Sequence, residues 1–189
     1  MAEKRGLTPS QYGFTFGIPY LAAFIFSPII GTYGGKIGPK TILCGGAFIQ
    51  AVVAYLFGLL DFIEPVWPFL MLSYLLRFIE GIGTAAHLGA ALAILIDLFP
   101  DRVATYMSYT EVGFGLGYML GPPLGSHLYE LGGLLLPFEV VGIILVIASL
   151  AVYYSLPTWI NSKKVTIEIE ETKRIKWSDV MRVSLQFKK

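Results

Sequence analysis

The stretch RFIEGIGTAAH, residues 77–87, sets an arginine, a glutamate and a histidine into a long run of apolar residues. Whether a chain tolerates that depends on the solvent around the run. Hydrophobic residues make up 55% of the 189 and charged residues 14%, against roughly 25% charge in a typical soluble domain, and the mean hydropathy is +0.67. Such a composition belongs to a bilayer. A hydrocarbon core about 30 Å thick requires around 20 apolar residues per helix. Outward from residue 77, five stretches reach that length: 12–33, 41–60, 67–98, 103–126 and 134–156. The links GKIGPK, DFIEPVWP, FPDR and YELGG separate them. The third stretch, at about 1.5 Å per residue, exceeds one bilayer thickness and should tilt or protrude. The fold class expected is therefore an all-α membrane protein with a five-helix transmembrane bundle over residues 12–156.

Lysine and arginine set the orientation. Lys36 and Lys40 follow the first span, Arg102 the third, and eight basic residues the fifth, whereas the links after the second and fourth spans carry none. The first, third and fifth exits are expected in the cytoplasm. Residues 1–11 then form a non-cytoplasmic segment, with Lys4 and Arg5 against the rule, as if a preceding helix were missing. Residues 157–189 form a cytoplasmic tail. Its WSDVMRVSLQFKK end has the pattern of an amphipathic helix capped by Ser178. A net charge of +1 gives no field for nucleic acid, and a single cysteine, Cys44, excludes a disulfide framework or a CxxC site. GIGTAA lies inside an apolar run and not between a strand and a helix, so it is not a dinucleotide loop. No nucleophile–base pair, metal-ligand spacing or phosphate loop stands out, so no enzyme, metal or cofactor is expected.

Ionisable residues are uneven along the spans. The second has none between Thr41 and Leu60, and the fifth only Glu139 near its start, so both can face lipid. At about 100° per residue, Arg77, Glu80, Thr84, His87 and Ala91 of the third span fall within roughly 80° of one another. A charge at the bilayer centre costs about 2.5–3.5 kcal/mol on insertion scales, so this stripe must face protein or water. An ion pair at i and i+3 would fix packing alone. A stripe continuing through Thr84 and His87 instead suggests a water-filled pathway for protons or cations, with Glu111 of the fourth span as a further anionic contact. The fourth span also places Gly113, Gly117, Gly121 and Gly125 at intervals of four, a face that admits close helix approach. Pro122 and Pro123 remove two backbone donors beside it.

These residues resemble signatures of the major facilitator transporters. GTYGGKIGPKTIL is similar to the cytoplasmic loop motif between their second and third helices, matched by Gly31, Lys36, Gly38, Lys40 and Leu43, with Asp97 available as its fourth-helix acid. RFIEGIG resembles the arginine motif of their fourth helix at Arg77 and Gly81. GLGYMLGPPLGS resembles the antiporter motif of their fifth helix at Gly117, Gly121, Pro122 and Gly125. The stretch GPPLGSHLYE with Pro137 and Phe138 looks like the vesicular amine transporters, and GLTPSQYGF with GPK is similar to their polyamine branch. Gly35 and Pro39 stand where the loop motif has aspartate and arginine, Glu80 where the fourth-helix motif commonly has glutamine, and Ser126 where the antiporter motif ends in glycine.

The resemblance implies an incomplete major facilitator amino-terminal bundle, matching helices two to six and lacking the first helix and the second half. It implies proton-coupled antiport of an organic cation, a polyamine or monoamine, across an intracellular vesicle membrane, with Glu80 exchanging a proton for the amine. Drug or organic-cation efflux at the plasma membrane and a truncated, non-transporting product are the alternatives.

Overall fold

A computed structural model describes residues 8–157 and 160, with positions 12, 33, 35 and 36 described by backbone alone. Most of segments 1–11 and 157–189, including the WSDVMRVSLQFKK stretch, lies outside the described residues. Five α-helices follow in order: α1 Pro9–Ile37, α2 Pro39–Leu59, α3 Val66–Leu98, α4 Val103–Gly132 and α5 Leu135–Ser155, with single 3-10 turns at Leu60–Phe62 and Pro100–Arg102. Each of the five expected spans is a helix. α1, α2 with its 3-10 turn, α3 and α5 are long and apolar enough to cross a membrane by length and composition. α4 is long enough, but glycines, tyrosines, Glu111, His127 and Glu130 dilute its apolar content.

The helix ends have local causes. Thr8 caps α1 through a reciprocal pair of bonds with Gln11, and Pro9 opens the first turn. α1 and α2 meet at Gly38, whose φ of 99° suits glycine. Its N–H closes α1 on the Gly34 carbonyl, and Pro39 begins α2. α4 runs through Pro122 and Pro123 to Gly132, six residues past the expected end at 126.

Neighbours in space form the series α1, α3, α2, α5, α4: α3 packs on both α1 and α2, α2 on α5, and α5 on α4. Glycines set the closest approaches. A Cβ on Gly46 of α2 would lie 2.7 Å from the Gly83 carbonyl oxygen and 2.7 Å from the His87 nitrogen of α3. One on Gly81 would collide with the Pro19 carbonyl of α1 and lie 2.7 Å from the Ala22 Cβ. Two apolar clusters fill the α2–α3 seam, one around Val53, Leu60, Phe69, Leu70 and Leu76, the other around Leu43, Ala90 and Ile94 with Ile160.

One sequence expectation changes here. α2, expected to face lipid, is the middle of the bundle and buries Leu43, Cys44, Ala47, Ala51 and Val53. Lacking charges, it suits a protein core as well as it suits lipid. α4, whose glycines suggested a helix contact, buries no residue. A Cβ on Gly113, Gly117, Gly121 or Gly125 would meet nothing within 4 Å. Among the described helices nothing packs on the ladder.

Candidate functional site

The α3 stripe divides once it is folded. Arg77 Nη1 donates to Glu80 Oε2 at 2.7 Å, so the i, i+3 ion pair forms. The two side chains keep 20% and 29% of their exposure, between a core pair and a surface pair. The Arg77 guanidinium also lies over the Phe57 ring, 4.4 Å from its centroid. Its Nε is buried and has no hydrogen-bond partner among the described residues. Phe57 comes from the last turn of α2, where Phe138 of α5 meets it with ring centroids 5.0 Å apart.

These groups line a cavity of ≈ 400 Å³ between α2, α3 and α5. Gln50 supplies an amide, and Val53, Val141 and Leu145 are among its apolar walls.

Thr84 and His87 share the stripe but do not line the cavity. Thr84 Oγ1 donates back to the Glu80 carbonyl at 3.0 Å, a bond within its own helix. His87 Nδ1 lies 3.4 Å from the Leu43 carbonyl oxygen of α2, in the α2–α3 seam. Glu111 is exposed on α4 and has no ion pair among the described residues. The sequence reading missed Gln50, Phe57 and Phe138. Gln50 carried a signal, as an amide in mid-span, and Phe138 one of family resemblance without a place in the site; Phe57 carried none, since its role lies in its placement.

The loop-motif residues gather at the opposite end of α3. Lys40 is 4% exposed; its Nζ donates to the Leu156 carbonyl at 2.6 Å and lies 4.5 Å from the Tyr153 ring centroid. A cation thus caps the carboxyl end of α5. Asp97, one residue before the end of α3, is also engaged. Gly38 makes the α1–α2 joint, and Gly31 has open space around its Cα. Lys36 lies in the last turn of α1, with its side chain outside the described residues.

A sequence profile of the Major Facilitator Superfamily matches residues 1–185. The chain belongs to this superfamily. Among major facilitator proteins, it is 36% identical over 158 residues to the mouse MFS-type transporter SLC18B1, covering 84% of this chain and 34% of the relative. The human protein of that name is 34% identical over 158 residues, again 84% of this chain and 35% of the relative. The quinolone resistance protein NorA of Staphylococcus aureus is 28% identical over 144 residues, 76% of this chain and 35% of the relative. The chain thus spans about a third of the length of these curated relatives. It is a multi-pass membrane protein of a transporter family, which accords with the reading that found no enzyme.

Proposed function

We propose that this chain is the amino-terminal part of a longer secondary transporter. It exchanges protons for an organic cation, a polyamine or monoamine, across an intracellular vesicle membrane. The observation that carries the proposal is the Arg77–Glu80 pair lining a largely apolar cavity between α2, α3 and α5. A carboxylate there is neutralised by a proton, by Arg77 or by an ammonium group, and each occupant excludes the others. Glu80 accepts the amine from the cytoplasm in its charged form and releases it when a proton arrives from the acidic lumen. Arg77 holds the carboxylate on the return. Glu111 on α4 offers a second anionic contact for a multiply charged amine. In this reading the first, third and fifth helix exits are cytoplasmic, and a first helix and a second bundle complete the path.

The test is proton-driven uptake of radiolabelled spermidine and serotonin by vesicles holding the complete transporter. Wild type is compared with Glu80→Gln and with Glu80→Gln combined with Arg77→Gln. Uptake should be lost in both variants, because an amide neither titrates nor pairs with a cation, while the double variant regains folded yield. A double variant that transports like wild type would remove Glu80 from the mechanism. The likeness to NorA supports a second reading, drug export at the plasma membrane, which substrate profile and localisation separate from the first. The length of the native polypeptide tests the third, a truncated product that does not transport.

A further inference from the structure

Arg77 is held in an unusual way for a structural arginine. A guanidinium that serves only to bind a carboxylate tends to present two parallel donors to it. Here a single nitrogen, Nη1, reaches Glu80, and the buried Nε bonds to nothing among the described residues. The rest of its support is the face of Phe57, 4.4 Å away. A carboxylate edge and an aromatic face are what any weakly hydrated cation needs, and neither is particular to arginine.

We infer that Glu80 and Phe57 form a two-sided seat for an organic cation, and that the Arg77 guanidinium is a resident cation which a substrate's ammonium or guanidinium group displaces. This rests on the reading of the chain as part of an organic-cation transporter. The surroundings fit the exchange. Phe138 extends the aromatic wall from α2 to α5, Gln50 adds an acceptor for a second N–H, and Val141 and Leu145 suit a carbon chain. A volume of ≈ 400 Å³ is within the range of small-molecule sites. Once displaced, the Arg77 guanidinium stays tethered to α3, so the cavity holds one positive charge more when the substrate is seated. Phe57 then determines specificity. Cations with spread charge or alkylated nitrogen rest on a ring more readily than a compact, strongly hydrated primary ammonium.

The experiment measures equilibrium binding of tetramethylammonium and methylguanidinium to the complete transporter without a proton gradient. Two kinds of change are made. Replacing the Phe57 ring by mono-, di- and trifluorinated phenylalanine withdraws charge from the ring face while nearly keeping its shape. In the Arg77→Gln background, where no resident guanidinium shares the ring, affinity should fall stepwise, by about tenfold at the third fluorine, as expected for the loss of a desolvated cation–π contact. Arg77→Gln removes the resident competitor, so both probes should bind about tenfold tighter, whereas an arginine that only organises the site would weaken binding when lost. Affinity independent of fluorination, or weaker binding by folded Arg77→Gln, overturns the seat. Should Arg77→Gln fail to fold, Arg77→Met, which keeps the apolar stem, replaces it in both arms. Saturable binding with proton-driven uptake intact but no fluorine response sinks this inference and leaves the proposed function standing. No saturable binding of either cation by a wild type that still takes up spermidine or serotonin overturns the seat alone; loss of that uptake as well overturns both.

Discussion

Adding one methyl group to Gly46 tests the helix order directly. The new Cβ would sit 2.7 Å from the Gly83 oxygen, 2.7 Å from the His87 nitrogen and 3.0 Å from the Ala86 Cβ. Two of these are backbone atoms of α3, which cannot rotate away as a flexible side chain can. A carbon–oxygen contact requires about 3.3 Å, so α2 must back away from α3 by roughly 0.6 Å along the seam. Overpacking of that kind costs about 1–3 kcal/mol, and alanine's better helix propensity returns at most about 1 kcal/mol. The net expectation for Gly46→Ala is a loss of about 1–2 kcal/mol. Gly117→Ala provides the control, because its Cβ has nothing within 4 Å. The assay is unfolding of the detergent-purified chain by graded sodium dodecyl sulfate, followed by circular dichroism. Gly46→Ala should unfold at a lower detergent fraction than wild type, and Gly117→Ala should not. Equal stability of the two variants would show that α2 and α3 do not approach through Gly46 and Gly83, and the order of helices would have to be redrawn.

Three further outcomes are expected. Gly38→Ala should lower stability by about 1–2 kcal/mol in the same assay, because its φ of 99° is strained for a residue with a Cβ; an unchanged midpoint would mean the joint relaxes to negative φ. Lys40→Met should leave the fold intact but speed amide exchange at Tyr153–Leu156, where the Lys40 ammonium now closes the end of α5; unchanged exchange there would show that the contact holds nothing. Impermeant thiol reagents should reach cysteines placed at Lys36 and Lys164 from the cytoplasm and at Glu64 and Glu130 from the other side, in a Cys44→Ala background; labelling of 36 and 64 from one side would refute the orientation.

Much of the architecture was legible because a bilayer imposes a length on each helix. The third span, read as 67–98, is Val66–Leu98, and the second, read as 41–60, is Pro39–Leu59. The Arg77–Glu80 pair was legible from spacing, since i and i+3 neighbours on a helix meet whatever surrounds them. The neighbours of each helix were not legible. In water, an apolar face points to the core; in a membrane, lipid and core are both apolar, so the charge-free α2 read as a lipid-facing helix and is the buried middle. Among the described helices close approach occurs at Gly46, Gly81 and Gly83, which have no period comparable to the α4 ladder.

The same limit explains why the site was only half visible. Polar groups are costly in lipid, so Arg77 and Glu80 announced themselves, but the stripe they began did not continue as one surface. Thr84 can satisfy its hydroxyl on the preceding turn of its own helix, and His87 finds a carbonyl in the α2–α3 seam. Both solve their own burial without sharing the cavity. The charged pair instead finds its partners on other helices, in Phe57, Phe138 and Gln50. An aromatic ring in a membrane sequence has no spacing that separates a lipid-facing residue from a cation's resting place. Only the position of a positive charge 4.4 Å from its face makes that distinction. The chemistry of this cavity therefore depends on what α2 and α5 bring to Glu80 as much as on the motif that carries it.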